Sequence, residues 1–97
     1  MKLNRDAILQ CLRDARPALE REFPLHGMAI FGSVARGEAE ETSDIDILVD
    51  VEPSIGLGFV TLADRLEAAL GHSVDLVSRR ALKPTLLKLI ESEMIYV

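Results

Sequence analysis

Two apolar runs lie between residues 25 and 52, separated by a glycine-bearing turn, and the second run opens on a pair of carboxylates. Residues 32–37 read Gly-Ser-Val-Ala-Arg-Gly, and residues 43–46 read Ser-Asp-Ile-Asp. From residue 44 onward Ile45, Ile47, Val49 and Val51 alternate with Asp44, Asp46, Leu48 and Asp50. Strict alternation predicts a strand with one apolar face. Aspartate is poorly suited to strands, so the face holding Asp44 and Asp46 cannot be ordinary core. Spacing of i, i+2 on a strand puts the two on one side, about 6–7 Å apart along the chain. Two carboxylates at one edge, beside a glycine-rich turn, suit a metal-bound polyphosphate.

The rest of the pattern places this pair in an α/β fold. Residues 3 to 23 carry Leu3, Ala7, Ile8, Cys11, Leu12, Ala15 and Leu19 on one helical stripe, with Asn4 as N-cap. Pro17 predicts a kink or break near Ala15. Residues 25–31 read as a first strand, Ser33 to Arg36 as a short helix, and Glu38 to Thr42 as an acidic loop. Pro53 to Gly56 reads as a loop. Phe59 to Leu70 predicts a helix stopped by Gly71. Val74 to Ser78 is a short third strand with Asp75 and Val77 on one face, and Pro84 opens a last helix. Tyr96 and Val97 either pair at a sheet edge or stay free for a partner. The expected fold is a small mixed sheet of about three strands, with helices packed on one side.

With 97 residues and 48% hydrophobic content, one domain over 1–97 with a proper core is the expectation. The uncharged runs are too short to span a bilayer, and the stretch Met1 to Asp6 lacks the apolar core of a secretory signal. The one cysteine, Cys11, reads as a small core residue of a cytoplasmic protein. A net charge of −5 argues against general nucleic-acid binding. It leaves room for one nucleotide held through magnesium, and for a basic protein partner.

The candidate metal set is Asp44, Asp46 and Asp75, the last from the strand beside the first two. Any one of these aspartates alone is an unremarkable solvated or capping residue; the pair inside an apolar strand is harder to dismiss. Gly32 lets a phosphate approach the backbone closely, N–H groups at a helix start face anions, and Ser33 adds a hydroxyl. Arg36 either binds a phosphate or pairs with the acidic run Glu38 to Glu41. His26 and His72 are isolated, and no Cys/His cluster suggests zinc. Gly56-Leu57-Gly58-Phe59-Val60-Thr61 imitates a dinucleotide fingerprint, but position 61 is Thr and the chain is too short for that fold. No phosphate-loop lysine motif is present. Asp50 lies about 13 Å from Asp46 along the strand, too far to share its metals. Arg79, Arg80, Lys83 and Lys88 form the main basic cluster; they read first as solvated helix residues, with contact to a nucleotide tail or an acidic partner as the alternative.

Taken together, Gly32-Ser33-x-x-Arg36-Gly37, Ser43-Asp44-x-Asp46 and Val74-Asp75-Leu76-Val77 resemble the minimal nucleotidyltransferases of the DNA polymerase β superfamily, over nearly the whole chain. The resemblance implies that Asp44, Asp46 and Asp75 hold two magnesium ions (manganese being an alternative), and that Asp75 helps activate the attacking hydroxyl. It places Gly32, Ser33, Arg36 and Ser43 at the triphosphate of ATP. It also implies a partner: stand-alone members are often antitoxins beside a helical HEPN-type ribonuclease toxin, and some transfer AMP to a tyrosine of that toxin. Two alternatives stay open. One is a non-catalytic antitoxin that neutralises by contact; the other is the catalytic subunit of a small-molecule nucleotidyltransferase.

Overall fold

The computed structural model describes residues 4–97. Leu3, the first residue of the expected stripe, lies outside them. Helix α1 spans Arg5–Glu22, and Asn4 caps it: its side chain accepts the Ala7 N–H at 3.0 Å. Pro17 does not break this helix, contrary to the expectation from its missing N–H. Both Pro17 and Arg13, whose carbonyl loses its partner, sit on the exposed side, where water can satisfy the free oxygen.

Strand β1 (Leu25–Phe31) runs into the four-residue helix α2 (Gly32–Ala35), and an irregular segment then leads to β2 (Ile45–Val51). That segment is acidic, yet it is anchored by Ala39, which is 1% exposed. Pro53–Ile55 forms a 3₁₀ turn where a plain loop is expected. Helix α3 (Gly58–Leu70) ends at Gly71, whose φ of +64° is the left-handed conformation that stops helices. Strand β3 (Val74–Ser78), helix α4 (Pro84–Glu91) and strand β4 (Ile95–Tyr96) complete the chain.

The sheet order is β3-β2-β1-β4. Strand β1 pairs antiparallel with both β2 and β4, while β2 and β3 run parallel. The sheet therefore has four strands rather than three: Tyr96 pairs with Ala29 and Ile95 with Ile30. The apolar faces of the strands meet α1 and α3. Leu12, Met28, Ile30, Ile45, Ile47, Val49, Leu62 and Leu66 are almost wholly removed from water. Burial of each such side chain contributes about 1.5–3 kcal/mol. Cys11 is only half-buried, and its thiol donates to the Ala69 carbonyl at 3.2 Å, tying α1 to the end of α3. No helix among the described residues is long and apolar enough to cross a membrane.

The opposite face is not uniformly open. Leu48 and Ala29, register partners in its middle, are 2% and 0% exposed. Tyr96, the partner of Ala29 on the other side, lines one cavity with Leu48 and Arg79, and Arg79 pairs with Glu91 at 3.0 Å. The aspartates sit beyond this closed middle, at the entry end of β2.

Candidate active site

Asp46 sits at the centre of the site. It is the second residue of β2 and the register partner of Phe31 on one side and Asp75 on the other. Parallel pairing of β2 with β3 brings Asp46 and Asp75 side by side across the strands, so both occupy one face, as the alternation of each strand predicts. Asp75 is exposed and Asp46 half-buried. The Asp46 carboxyl titrates above the usual carboxylate range. Burial is the first cause, and repulsion from Asp75 and then Asp44 adds to it.

Gly32 lies directly against this carboxylate. Its φ is +69°, and a Cβ built there would stand 2.1 Å from Asp46 Oδ2 and 3.1 Å from its Cγ. Glycine is required twice over at this position, for backbone conformation and for space. The turn that follows β1 thus brings bare backbone up to the acidic cluster. Ser33 follows it in α2, half-buried.

Asp44, one residue before β2, is exposed, and its Oδ1 accepts a hydrogen bond from Ser73 Oγ at 2.5 Å. Among the described residues no three Asp, Glu, His or Cys side chains converge as a group able to hold a metal ion. Strand register assembles Asp46 with Asp75, while Asp44 is turned to the loop before β3. Ser43 serves the approach to β2: its Oγ accepts the Glu40 N–H at 3.1 Å, and its carbonyl accepts from His72 Nε2 at 2.6 Å. His72 therefore pins a loop, and His26 lies 3.4 Å from Glu52.

Of the two roles open to Arg36, the structure shows ion pairing. It contacts Glu38 at 3.1 Å as the acidic run suggests, and also Glu93 at 2.9 Å. Glu93 further accepts the Gly32 N–H at 3.1 Å. Glu93 and Ser73 are the site residues that sequence reasoning missed. Glu93 is 61 residues from Gly32 and carries no local motif; Ser73 was detectable only through the register of β3.

A glycine at a turn fitted to a buried-edge aspartate, with a second aspartate in register, matches a known pattern. The nucleotidyltransferase domain family model matches residues 12–97. The chain belongs to the nucleotidyltransferase family. The protein adenylyltransferase MntA of Thermococcus cleftensis is 42% identical over 97 residues, covering 98% of this chain and 97% of that protein. Among solved structures, a toxin–antitoxin with AMP-PNP superposes with a TM-score of 0.68 at 30% identity, covering 97% of this chain and 72% of the other. A tri-AMPylated Shewanella oneidensis HEPN toxin in complex with MNT antitoxin matches with a TM-score of 0.59 at 28% identity, covering 96% of this chain and 67% of that one. The family match runs from within α1 to the last residue of the chain, and so includes the acidic pair and the glycine turn.

Proposed function

We propose that this nucleotidyltransferase moves AMP from ATP to a hydroxyl, a tyrosine, of a HEPN-type toxin and silences it as an antitoxin. The observation that carries this is the seat of Asp46: in register with Asp75 and in contact with the bare backbone of Gly32. The MntA relative is an adenylyltransferase of proteins, and the AMPylated HEPN toxin complex supplies the partner class. The complex with AMP-PNP supports ATP as the donor.

The donor set consists of hard carboxylate oxygens, which suit Mg²⁺ or Mn²⁺. Asp46 and Asp75 would hold the ions, with Asp44 joining them on release from Ser73. Bound metal would neutralise the triphosphate and stabilise the charge that builds on it. Gly32 and Ser33 hold the β- and γ-phosphates, and Arg36 offers its guanidinium to the same group. Ser43 keeps the loop ahead of Asp44 in place. Asp75, the most exposed of the register pair, accepts the proton of the incoming hydroxyl. The hydroxyl oxygen bonds to the α-phosphorus, the bond from that phosphorus to the bridging oxygen breaks, and pyrophosphate leaves with its electrons. Positioning and charge neutralisation account for most of such a rate gain. The net charge of −5 favours docking of a basic partner.

The test is incubation with a HEPN-type partner, ATP and Mg²⁺, followed by intact-mass measurement of both proteins. The partner should gain the mass of one or more adenylyl groups, and Asp46→Asn should abolish the gain. An unmodified partner that is nonetheless inhibited, equally well by Asp46→Asn, would show neutralisation by contact and refute the transferase role.

A further inference from the structure

The Glu93 carboxylate uses both of its oxygens. Oε1 accepts from the Gly32 backbone N–H at 3.1 Å, and Oε2 accepts from Arg36 Nη1 at 2.9 Å. A phosphate group makes the same charge-assisted hydrogen bonds to a guanidinium and a backbone N–H. One anion can hold this pair of donors at a time. We propose that Glu93 is a built-in competitor of the nucleotide's phosphates, displaced from Gly32 and Arg36 when ATP binds. This rests on the nucleotide role given above to the Gly32 turn.

Three further features fit a contact made to be broken. Arg36 keeps Glu38 at 3.1 Å, so it stays paired on that side when Glu93 leaves. The segment carrying Glu93 is held mainly at its far end: α4 contributes no buried residue, while β4 pairs with β1 at two positions, Ala29 with Tyr96 and Ile30 with Ile95, and the Val97 N–H donates to the Met28 carbonyl at 2.9 Å. Glu93 also lies next to an acidic cluster, so its departure removes a like charge from the place where a metal–nucleotide complex would arrive. Displacing Glu93 therefore has a mechanical consequence. It loosens the segment that leads into β4, so occupancy of the site would be felt at the sheet edge.

Glu93→Gln keeps the size and the acceptor for Gly32 but removes the negative charge facing Arg36; Glu93→Ala removes both contacts. The simple alternative is that Glu93 only braces the turn. A brace predicts that stability and nucleotide affinity fall together. A competitor predicts that they part: the urea midpoint falls while Mg·ATP binds more tightly. For ion-pair partners as exposed as these, the gain should be about two- to fivefold in Kd. Inorganic triphosphate should show the same gain and adenosine none. In the wild-type chain, amide hydrogen exchange at Ile95 and Val97 should speed up on addition of Mg·ATP, while the amides of Ile47 to Val49 do not. Unchanged or weaker ATP binding by both variants, or slower exchange at Ile95 and Val97, overturns the competitor role while leaving the nucleotide site standing. Failure of wild type and both variants to bind ATP with Mg²⁺ overturns both.

Discussion

Replacing Gly32 with alanine tests the site's construction most directly. Two costs can be separated. The first is conformational: φ is +69°, and an L-residue held there loses roughly 1–2 kcal/mol. The second is steric. The new methyl would lie 2.1 Å from Asp46 Oδ2 and 3.1 Å from Cγ, so Asp46 must turn about χ1. Forcing that side chain off its preferred rotamer costs about 0.5–1.5 kcal/mol. Gly37 and Gly71 supply the controls, at φ of +73° and +64° with nothing within 4 Å of the added Cβ. Gly37→Ala and Gly71→Ala should show the first cost alone. In urea titrations followed by circular dichroism, with a slope of roughly 1–2 kcal/mol/M, the Gly32→Ala midpoint should fall about 0.3–1.5 M below theirs. The second cost should vanish in Gly32→Ala combined with Asp46→Ala, since the remaining Asp46 Cβ is 3.4 Å away. Activity should suffer more than stability, because moving a carboxylate by about 1 Å can cost on the order of 100-fold in rate. Equal midpoints for the three single variants, with no coupling in the double-mutant cycle, would refute the claim that Gly32 and Asp46 are packed against each other.

Other outcomes follow from the same geometry. Asp46 titrates above its ordinary value of 3.8, so the folded state holds its proton more tightly than the unfolded chain does. Its ionisation therefore lowers stability as pH rises from the unfolded value through the raised folded one; without metal, Asp46→Asn should be more stable than wild type at pH 7, and that advantage should disappear in urea melts below pH 3.8. Asp44→Asn retains an oxygen to accept from Ser73, so it should fold normally yet lose AMP transfer in the mass assay. Mg²⁺ with ATP should raise the melting temperature of wild type, by the equivalent of about 2.7 kcal/mol at a hundred times Kd, and should do so far less in Asp75→Asn. Leu66→Ala, at a wholly buried position of α3, should cost about 2–5 kcal/mol by calorimetry.

Much of this architecture is written locally. Alternation at 44–51 fixes which side of β2 bears Asp46, and Gly71 and Pro84 mark an end and a start by their own backbone chemistry. The strand ranges 25–31 and 74–78 follow from short apolar runs bounded by turns. What escaped a local view depends on distance or solvent. Pro17 looked like a breaker, but its cost depends on which way Arg13 faces. For Tyr96 the sequence leaves edge pairing and a free tail both open, and the open edge of β1 selects pairing, through Ile95 and Tyr96. The acidic face of β2 also hides a buried Leu48, beside a cavity lined by Tyr96 and Arg79 from elements distant in sequence. In the site, carboxylates and glycines were legible from type and spacing. The rotation of Asp44 toward Ser73 and the reach of Glu93 to Gly32 were not, because both partners arrive through the fold.

The placement of β1 between β2 and β4 has a consequence for how the molecule is made. Its inner edge finds a partner in residues 45–51, soon after it is synthesised, but its outer edge waits for residues 95–96, more than sixty residues later. Throughout that interval a nascent chain presents the apolar strand Leu25–Phe31 with one side unpaired. An open strand of that kind recruits other strands, its own copies included. Premature termination a few codons short of residue 95 should therefore yield aggregates rather than a slightly weakened enzyme, and crowded translation of such messages should draw chaperones to this edge.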